Sequence, residues 1–235
     1  MHPDPRTWRP QAYGQRKPQD LRDPLVEPAW DGIRVLAHVG PAGVSLVEDD
    51  GTDLAADHPE IAAELASSAR AESLVLDGYL TVQATRSGVG VLLDIDEGPD
   101  LGEHLAQFMF GRKAARAMSG RGRAPERSPT RKAGGAETAA ADEPDVIGFV
   151  AVDLIALDGE PLLEIPLLER KRLLESALEE CERIRRTPYV REPAGSFIIT
   201  WRSLGFGGLA YKEANSRYLP GAPNDGWSLI AMPRR

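Results

Sequence analysis

The chain has 235 residues, 42% of them hydrophobic and 27% charged, a composition typical of a globular protein with one substantial core. Its formal net charge of −8 argues against a surface that binds nucleic acid throughout, because DNA affinity comes largely from neutralising phosphates. The single cysteine, Cys181, cannot form an internal disulfide, and the scattered histidines leave no zinc-ligand spacing. The absence of a secretory signal and of an apolar run near the ~20 residues that span a bilayer predicts a cytoplasmic protein with no membrane contact.

The hydrophobic pattern predicts an α+β domain that follows an extended lead-in over residues 1–23. Alternating or β-branched apolar runs predict strands at 33–39, 44–47, 74–82, 146–157, 208–212 and 227–232, with turns at 40–43 and 158–159. Helical periodicity predicts helices at 59–69, 101–118 and 197–204. A further helix is predicted to open at Pro166, as proline does in a first helical turn, with an apolar stripe of Leu173, Leu174, Ala177, Leu178 and Cys181.

Residues 119–144 differ in character from the rest of the chain. Small, polar and basic residues dominate there, so the segment cannot bury enough apolar surface to offset the entropy of ordering. We predict a disordered basic insertion that divides one domain into 24–118 and 145–235. The basic stretch is made of Arg112, Lys113, Arg116, Arg121, Arg123, Arg127, Arg131 and Lys132. Two interpretations stay open, a solvated linker and a flexible arm that contacts a phosphate backbone.

Five segments in chain order carry distinctive residues. They are Glu27-Pro28-Ala29-Trp30-Asp31-Gly32-Ile33-Arg34, Leu76-Asp77-Gly78-Tyr79-Leu80, Phe149 to Gly159 with Pro166 to Arg170, Gly207-Gly208-Leu209-Ala210-Tyr211-Lys212, and Ser216 to Gly221 with Trp227. Together they resemble the motifs of the covalent nucleotidyltransferases, and among these the ATP-dependent DNA ligases of the bacterial end-joining type. The resemblance covers about residues 24–233. It implies an adenylation domain of the ATP-grasp-like DNA ligase type, with mixed antiparallel sheets and packed helices. No OB-fold domain is expected after the last motif.

The resemblance also implies a chemistry. In that family, which acts in DNA repair and recombination, a lysine amine attacks the α-phosphate of ATP and holds AMP covalently. Two acidic residues orient the ribose and the metal, and lysines of the last motif neutralise phosphate charge. The implied cofactors are therefore ATP and Mg²⁺, and the implied partners are nicked or broken DNA or a repair protein.

The sequence departs from the family pattern at the reactive positions. Ala29 stands in place of the nucleophilic lysine, and a methyl group has no lone pair to donate. The other departures are Tyr79 and Gly207 in place of motif glutamates, Leu229 and Ala231 in place of the closing lysines, and Glu48-Asp49 in place of a Ser-Arg pair. We therefore predict no catalytic residue and a catalytically inactive homologue, because residues that act as a unit fail together.

The surviving motif residues supply the candidate nucleotide-binding set. These are Glu27, Asp31, Gly32, Arg34, Asp77, Phe149 and Lys212, with Asp77 also the candidate metal ligand. Each has a structural alternative. In these structural roles, Gly32 and Gly78 would serve turns, and Asp31 and Asp77 would cap turns. Asp153 would anchor a buried strand, and Phe149 would lie in the core. Arg34 and Lys212 would pair with Asp31 or Glu213. Lys212 as a substitute nucleophile is disfavoured, since its amine is expected to approach from the wall opposite Ala29.

Three functions remain compatible with the sequence. The first is an inactive ligase homologue that binds nucleotide or a repair partner. The second is residual DNA ligase (ATP) activity through non-standard residues. The third is a protein or DNA docking module, and an unrelated α+β domain with chance motif matches is the remaining alternative.

Overall fold

The computed structural model describes residues 4–85 and 146–232. The predicted helix at 101–118 and the predicted insertion at 119–144 lie outside the described residues, so both stay predictions. All other predicted elements can be compared with the structure.

The described residues form twelve strands, three α-helices and three short 3₁₀ turns. The strands are β1 (Ala12–Tyr13), β2 (Pro24–Ala29), β3 (Ile33–Gly40), β4 (Gly43–Val47), β5 (Leu74–Thr81), β6 (Gly148–Leu157), β7 (Glu160–Pro161), β8 (Ile184–Arg186), β9 (Val190–Arg191), β10 (Gly208–Glu213), β11 (Pro223–Asn224) and β12 (Trp227–Ala231). The helices are α1 (Pro59–Ser68), α2 (Leu167–Ala177) and α3 (Gly195–Ser203), and the 3₁₀ turns are Pro5–Thr7, Pro18–Asp20 and Val82–Ala84. The predicted α+β class is confirmed.

One predicted helix start is wrong by a residue. Pro166 is the N-cap of α2, with an extended ψ of 142°, and the helix begins at Leu167. The carbonyl of Pro166 accepts hydrogen bonds from the backbone N–H groups of Glu169 and Arg170. Pro166 therefore lies just before the helix, and its fixed φ favours the start of the first turn at Leu167.

The strands form a large sheet, a small sheet and a two-stranded sheet of β1 and β11. The large sheet has the order β4-β3-β5-β6-β7, with β8 pairing in parallel beside β6. The small sheet has the order β12-β10-β2-β9 and is antiparallel. β6 is central and almost wholly buried, which explains why its sequence is apolar except at Asp153.

The two faces of the large sheet bury different cores. One face packs against α1 and α2, where Ile61, Leu65 and Leu174 fill the interface. The other face turns toward the small sheet, with Leu36 and Val75 in contact with residues of that sheet. Successive motif residues along β3 and β5 lie on opposite faces of the large sheet. Only residues on the same face can therefore share a site.

Residues 8–16, which we call the N-terminal strap, lie within the predicted extended lead-in and pack into the fold. Trp8 is buried and Gln11 is fully buried. The backbone N–H of Gly14 donates to the carbonyl of Trp227 at 2.9 Å, and β1 pairs in parallel with β11. A side chain at position 14 would lie 2.6 Å from the carbonyl oxygen of Asn224, so this approach requires glycine. The strap thus ties the start of the described chain to its last strands.

Within the described ranges, no helix combines the length and the apolar character needed to cross a membrane.

Candidate functional site

The altered motif positions lie side by side on one face of the small sheet. Strand residues alternate between faces, so Leu25, Glu27 and Ala29 share a face of β2. The register extends this face across β10 and β12 as three rungs, which are Leu25–Lys212–Trp227, Glu27–Ala210–Leu229 and Ala29–Gly208–Ala231. The structure therefore brings together the nucleophile position and both closing-lysine positions. Their side chains are apolar and offer neither a nucleophile nor a cation.

The far end of this face is rich in charge. Glu27 accepts two ion pairs, from Lys171 at 2.6 Å and from Lys212 at 2.7 Å. All three side chains are buried, with at most 2% of any of them exposed. The ammonium of Lys212 also lies 4.2 Å from the ring centroid of Trp227, in cation–π geometry. Both cations thus have partners within the protein, and they share one carboxylate.

The ionisation of this cluster follows from its burial. Burial opposes the charged form of Glu27, but the neighbouring ammonium groups of Lys171 and Lys212 outweigh it and hold the pKa of Glu27 below its usual value. Burial lowers the pKa of Lys171 against the attraction of Glu27, and the positive charge of Lys212 lowers it further.

Two expectations for Lys212 were wrong. Its partner is Glu27, not Asp31 or Glu213, because the register of β10 places it beside β2. It lies in the same sheet face as Ala29, two rungs away, and not on an opposite wall. Its amine is fully occupied by Glu27 and buried, which leaves it poorly placed as a nucleophile.

Arg34 and Asp77 form a second buried pair on the facing surface of the large sheet. The guanidinium donates two hydrogen bonds to the carboxylate, at 2.9 and 2.6 Å. The hydroxyl of Tyr218 donates a third to Asp77 at 2.8 Å. Burial opposes the charge on Arg34, but Asp77 raises the pKa of the guanidinium well above its ordinary value.

This pairing corrects three expectations. Arg34 pairs with Asp77 rather than Asp31. Asp77 caps no turn, since it lies inside β5, and its oxygens are used by Arg34 and Tyr218. No group of three or more acidic, histidine or cysteine side chains that could hold a metal ion occurs in residues 4–85 and 146–232. The assignment of Asp77 as a metal ligand finds no support in this geometry.

Three aromatic rings surround the guanidinium of Arg34. Its Cζ lies 5.7 Å from the ring centroid of Tyr13, 5.8 Å from Tyr79 and 5.9 Å from Trp227. The Tyr13 and Trp227 rings are 5.8 Å apart. Burial raises the pKa of Tyr13 to about 12 and that of Tyr79 above its ordinary value, so both phenols are neutral at pH 7. Tyr79, which stands where the family has a glutamate, therefore supplies a neutral ring in place of a carboxylate.

Asp31 and Gly32 lie where β2 turns into β3. The side chain of Asp31 is exposed, and its backbone N–H donates to the side-chain oxygen of Gln83 at 2.8 Å. Gly32 has φ of 143°, and a Cβ there would lie 2.2 Å from the carbonyl oxygen of Leu80. The glycine is thus required by the backbone, as its structural alternative predicted.

Phe149 does not belong to the site. Alternation along β6 places it with Leu80 on the face that packs against α1 and α2, opposite Arg34. It is fully buried there, and its ring packs over Gly78, where a Cβ would lie 2.3 Å from Cζ of Phe149. The assignment of Phe149 to the nucleotide-binding set is therefore wrong, because its ring fills the core. Gly78 serves this close approach within β5 and no turn.

Asp153 is the buried anchor that its structural alternative described. Arg170 binds it through two hydrogen bonds, at 2.9 and 2.7 Å, and both side chains are fully buried. Lys171 is the next residue in the sequence, and the sequence analysis did not identify it as a site residue. In α2 the buried positions Leu167, Arg170, Lys171 and Leu174 have the spacing of a core-facing stripe. Two adjacent cations on such a stripe were the available signal, because cations seldom face a core without partners.

These residues do not fit a magnesium-bound triphosphate. Of the groups that would bind phosphate, Lys171 and Lys212 are held by Glu27, and Arg34 is held by Asp77. Binding of phosphate would have to break buried ion pairs, and the closing positions Leu229 and Ala231 add no cation.

The two facing sheets, and the order in which the motif residues lie across them, define the class of protein to which this fold belongs. The fold is that of the nucleotidyltransferase domain of ATP-dependent DNA ligases. The ligase domain of Mycobacterium tuberculosis LigD superposes with a TM-score of 0.60 at 21% identity, covering 97% of this chain and 60% of that one. Mycobacterial DNA ligase D complexed with ATP and MES gives a TM-score of 0.58 at 21% identity, covering 95% and 60%.

Comparison with known sequences also finds similarity to DNA ligases. The multifunctional non-homologous end joining protein LigD of Mycobacterium bovis is 27% identical over 201 residues, which is 86% of this chain and 20% of LigD. The DNA ligase of Thermococcus fumicolans is 37% identical over 82 residues, 33% of this chain and 15% of that ligase. No protein-family model matches the chain. The chain is homologous to the ligase domain of LigD and to archaeal DNA ligases, and it spans a fifth or less of the length of these curated relatives.

Proposed function

We propose that this chain is a ligase-type domain that does not form a covalent adenylate and serves DNA end-joining repair by binding. The observation that carries the proposal is the arrangement around Glu27. One buried carboxylate forms ion pairs with both Lys171 and Lys212, while Ala29 occupies the nucleophile position on the same sheet face. The residue types needed for attack and for phosphate neutralisation are thus missing or already paired.

Covalent transfer of AMP needs a free amine in line with the α-phosphate. Lys212 is the amine in the sheet face of Ala29, and its pairing with Glu27 disfavours residual ligation through that residue. Loss of a covalent nucleophile together with its supporting cations removes several orders of magnitude in rate.

The proposal is tested by incubation of the purified chain with α-labelled ATP and Mg²⁺, followed by denaturing electrophoresis. A mycobacterial LigD ligase domain serves as the positive control. We expect no labelled band at 25.5 kDa. A labelled band that survives denaturation would overturn the proposal.

A protein partner is favoured over DNA by the charge of the described surface, where acidic residues outnumber basic ones. Many of its arginines form ion pairs with neighbouring acids. These pairs are Arg16–Glu213, Arg70–Glu179, Arg172–Glu169, Arg183–Glu60 and –Glu64, Arg186–Glu180, Arg191–Asp23 and Arg217–Glu164. Phosphate contacts would have to compete with these carboxylates.

DNA binding by the full chain is measured with a nicked duplex across a salt series. We expect weak binding that is lost near physiological salt. Tight binding with a steep salt slope would instead favour the DNA docking alternative.

A site of action in the cytoplasm is part of the same proposal. Localisation of a tagged full-length protein checks it.

A further inference from the structure

We propose that Tyr13 is an internal plug that closes the cleft between the two sheets, in a place that a planar heteroaromatic ligand such as a nucleoside would otherwise take. The inference rests on the proposed function, in which the cleft carries out no covalent chemistry. It assigns an excluding role to the N-terminal strap, residues 8–16, which precede every motif of the sequence.

The position of the Tyr13 ring carries the inference. It lies 5.8 Å from the Trp227 ring on the small sheet and 5.7 Å from the guanidinium of Arg34 on the large sheet. It therefore bridges the two walls that carry the motif residues. Its phenol lies close enough to Glu27 and Asp77 for both carboxylates to raise its pKa.

The strap holds the ring in this place through several hydrogen bonds. The backbone N–H of Gln11 donates to the hydroxyl of Tyr218 at 3.0 Å, and the Gln11 side-chain oxygen accepts from Asn224 at 3.1 Å. The residues on either side of Tyr13 donate backbone N–H groups, Ala12 to Ala222 at 3.1 Å and Gly14 to Trp227 at 2.9 Å. The backbone at Tyr13 is thus held between two anchored neighbours, with the ring beside Trp227 and Arg34.

The surroundings of the ring identify the kind of ligand that it excludes. With the phenol removed, the walls would be the Trp227 indole, the Tyr79 ring and the flat guanidinium of Arg34. Aromatic faces and a stacked guanidinium bind planar bases. Phosphates would gain nothing there, since Lys171 and Lys212 are paired with Glu27. The excluded ligand is therefore a nucleoside-like ring rather than a triphosphate.

The experiment compares the wild type with Tyr13→Ala and a matched control, Tyr211→Ala. Tyr211 is a buried tyrosine on the opposite face of the same small sheet. Binding of p-cresol, adenosine, ATP and ATP with Mg²⁺ is measured by calorimetry, and folding is checked by tryptophan fluorescence and thermal unfolding. The Tyr13→Leu variant keeps an apolar contact with Trp227 and provides the same comparison where alanine prevents folding.

We expect Tyr13→Ala to bind p-cresol, which refills the vacated space, and to bind adenosine about tenfold or more tightly than the wild type and Tyr211→Ala do. ATP should bind no tighter than adenosine, with or without Mg²⁺. A folded Tyr13 variant that gains no adenosine affinity would overturn the inference, whether or not it takes p-cresol. Equal adenosine binding by all the proteins would overturn it as well. These outcomes are non-covalent, so they are distinct from the labelled band that would overturn the proposed function.

Discussion

Replacement of Glu27 by glutamine tests the ionic cluster most directly. The substitution keeps the size of the side chain but removes the negative charge that Lys171 and Lys212 share. Two buried ammonium groups would then face a neutral amide. We expect a large loss of stability at pH 7, because an uncompensated buried charge is far more costly than an exposed one.

The magnitude follows from the distances. At 2.6 and 2.7 Å and an effective dielectric constant near 20, each ion pair contributes a gross attraction of about 6 kcal/mol. Desolvation of the three groups offsets most of this attraction, and measured losses on removal of one partner of a buried pair are ~3–5 kcal/mol. The Lys171→Met variant should be much milder, since Glu27 keeps Lys212 and an apolar side chain replaces the excess cation.

Chemical denaturation of the wild type, Glu27→Gln, Lys171→Met and the double variant forms a thermodynamic cycle. We expect the double variant to recover part of the stability lost in Glu27→Gln, because only one unpaired ammonium remains buried. A Glu27→Gln protein with the wild-type free energy of unfolding would refute the reasoning, since it would mean that the three charges do not meet in a buried site.

Three further results are expected. Between the lowered pKa of Lys171 and its ordinary value of 10.5 the unfolded chain binds more protons, so the free energy of unfolding should rise with pH in that window. Denaturation at several pH values should show this slope in the wild type and not in Lys171→Met. Restoring the family nucleophile with Ala29→Lys should yield no labelled adenylate by gel assay, because Leu229 still occupies a closing position; a labelled band would show that one residue accounts for the loss. Gly78→Ala should lower stability by ~1–3 kcal/mol in thermal unfolding, since its methyl would clash with the Phe149 ring, and an unchanged melting temperature would contradict this packing.

The sequence predicted those features that depend on local periodicity. The alternation along β3 and the apolar run of β6 fix strands through nearest neighbours, and the stripe of α2 fixes a helix in the same way. The partners of the charged residues were not predictable in this way. Lys212 and Glu27 are 185 residues apart in sequence, and the register of β10 with β2 brings them together. Nothing local distinguishes a lysine that will meet phosphate from one that will meet a carboxylate.

The N-terminal strap was missed for a related reason. Its residues form only a two-residue strand, with a 3₁₀ turn before it and another after it, so they carry no periodic signal. Their order comes from hydrogen bonds to residues more than 200 positions later, such as Gln11 to Tyr218. The assignment of Phe149 failed because its face of β6 depends on pairing with β5, which the pattern of one strand does not reveal.

Stability explains why four of the motif residues match the ligase pattern. Glu27, Arg34, Asp77 and Lys212 are each half of a buried ion pair, and removing one partner costs ~3–5 kcal/mol. That is a large share of the roughly 5–15 kcal/mol that holds a domain folded. Leu229, which departs from the pattern, is half exposed, and substitutions at such positions usually change stability by less than ~0.5 kcal/mol. A residue retained because its neighbour needs a partner is not evidence for a ligand. The surviving motifs therefore support the fold, and nucleotide binding must be established by binding measurements on the wild type and the Tyr13 variants.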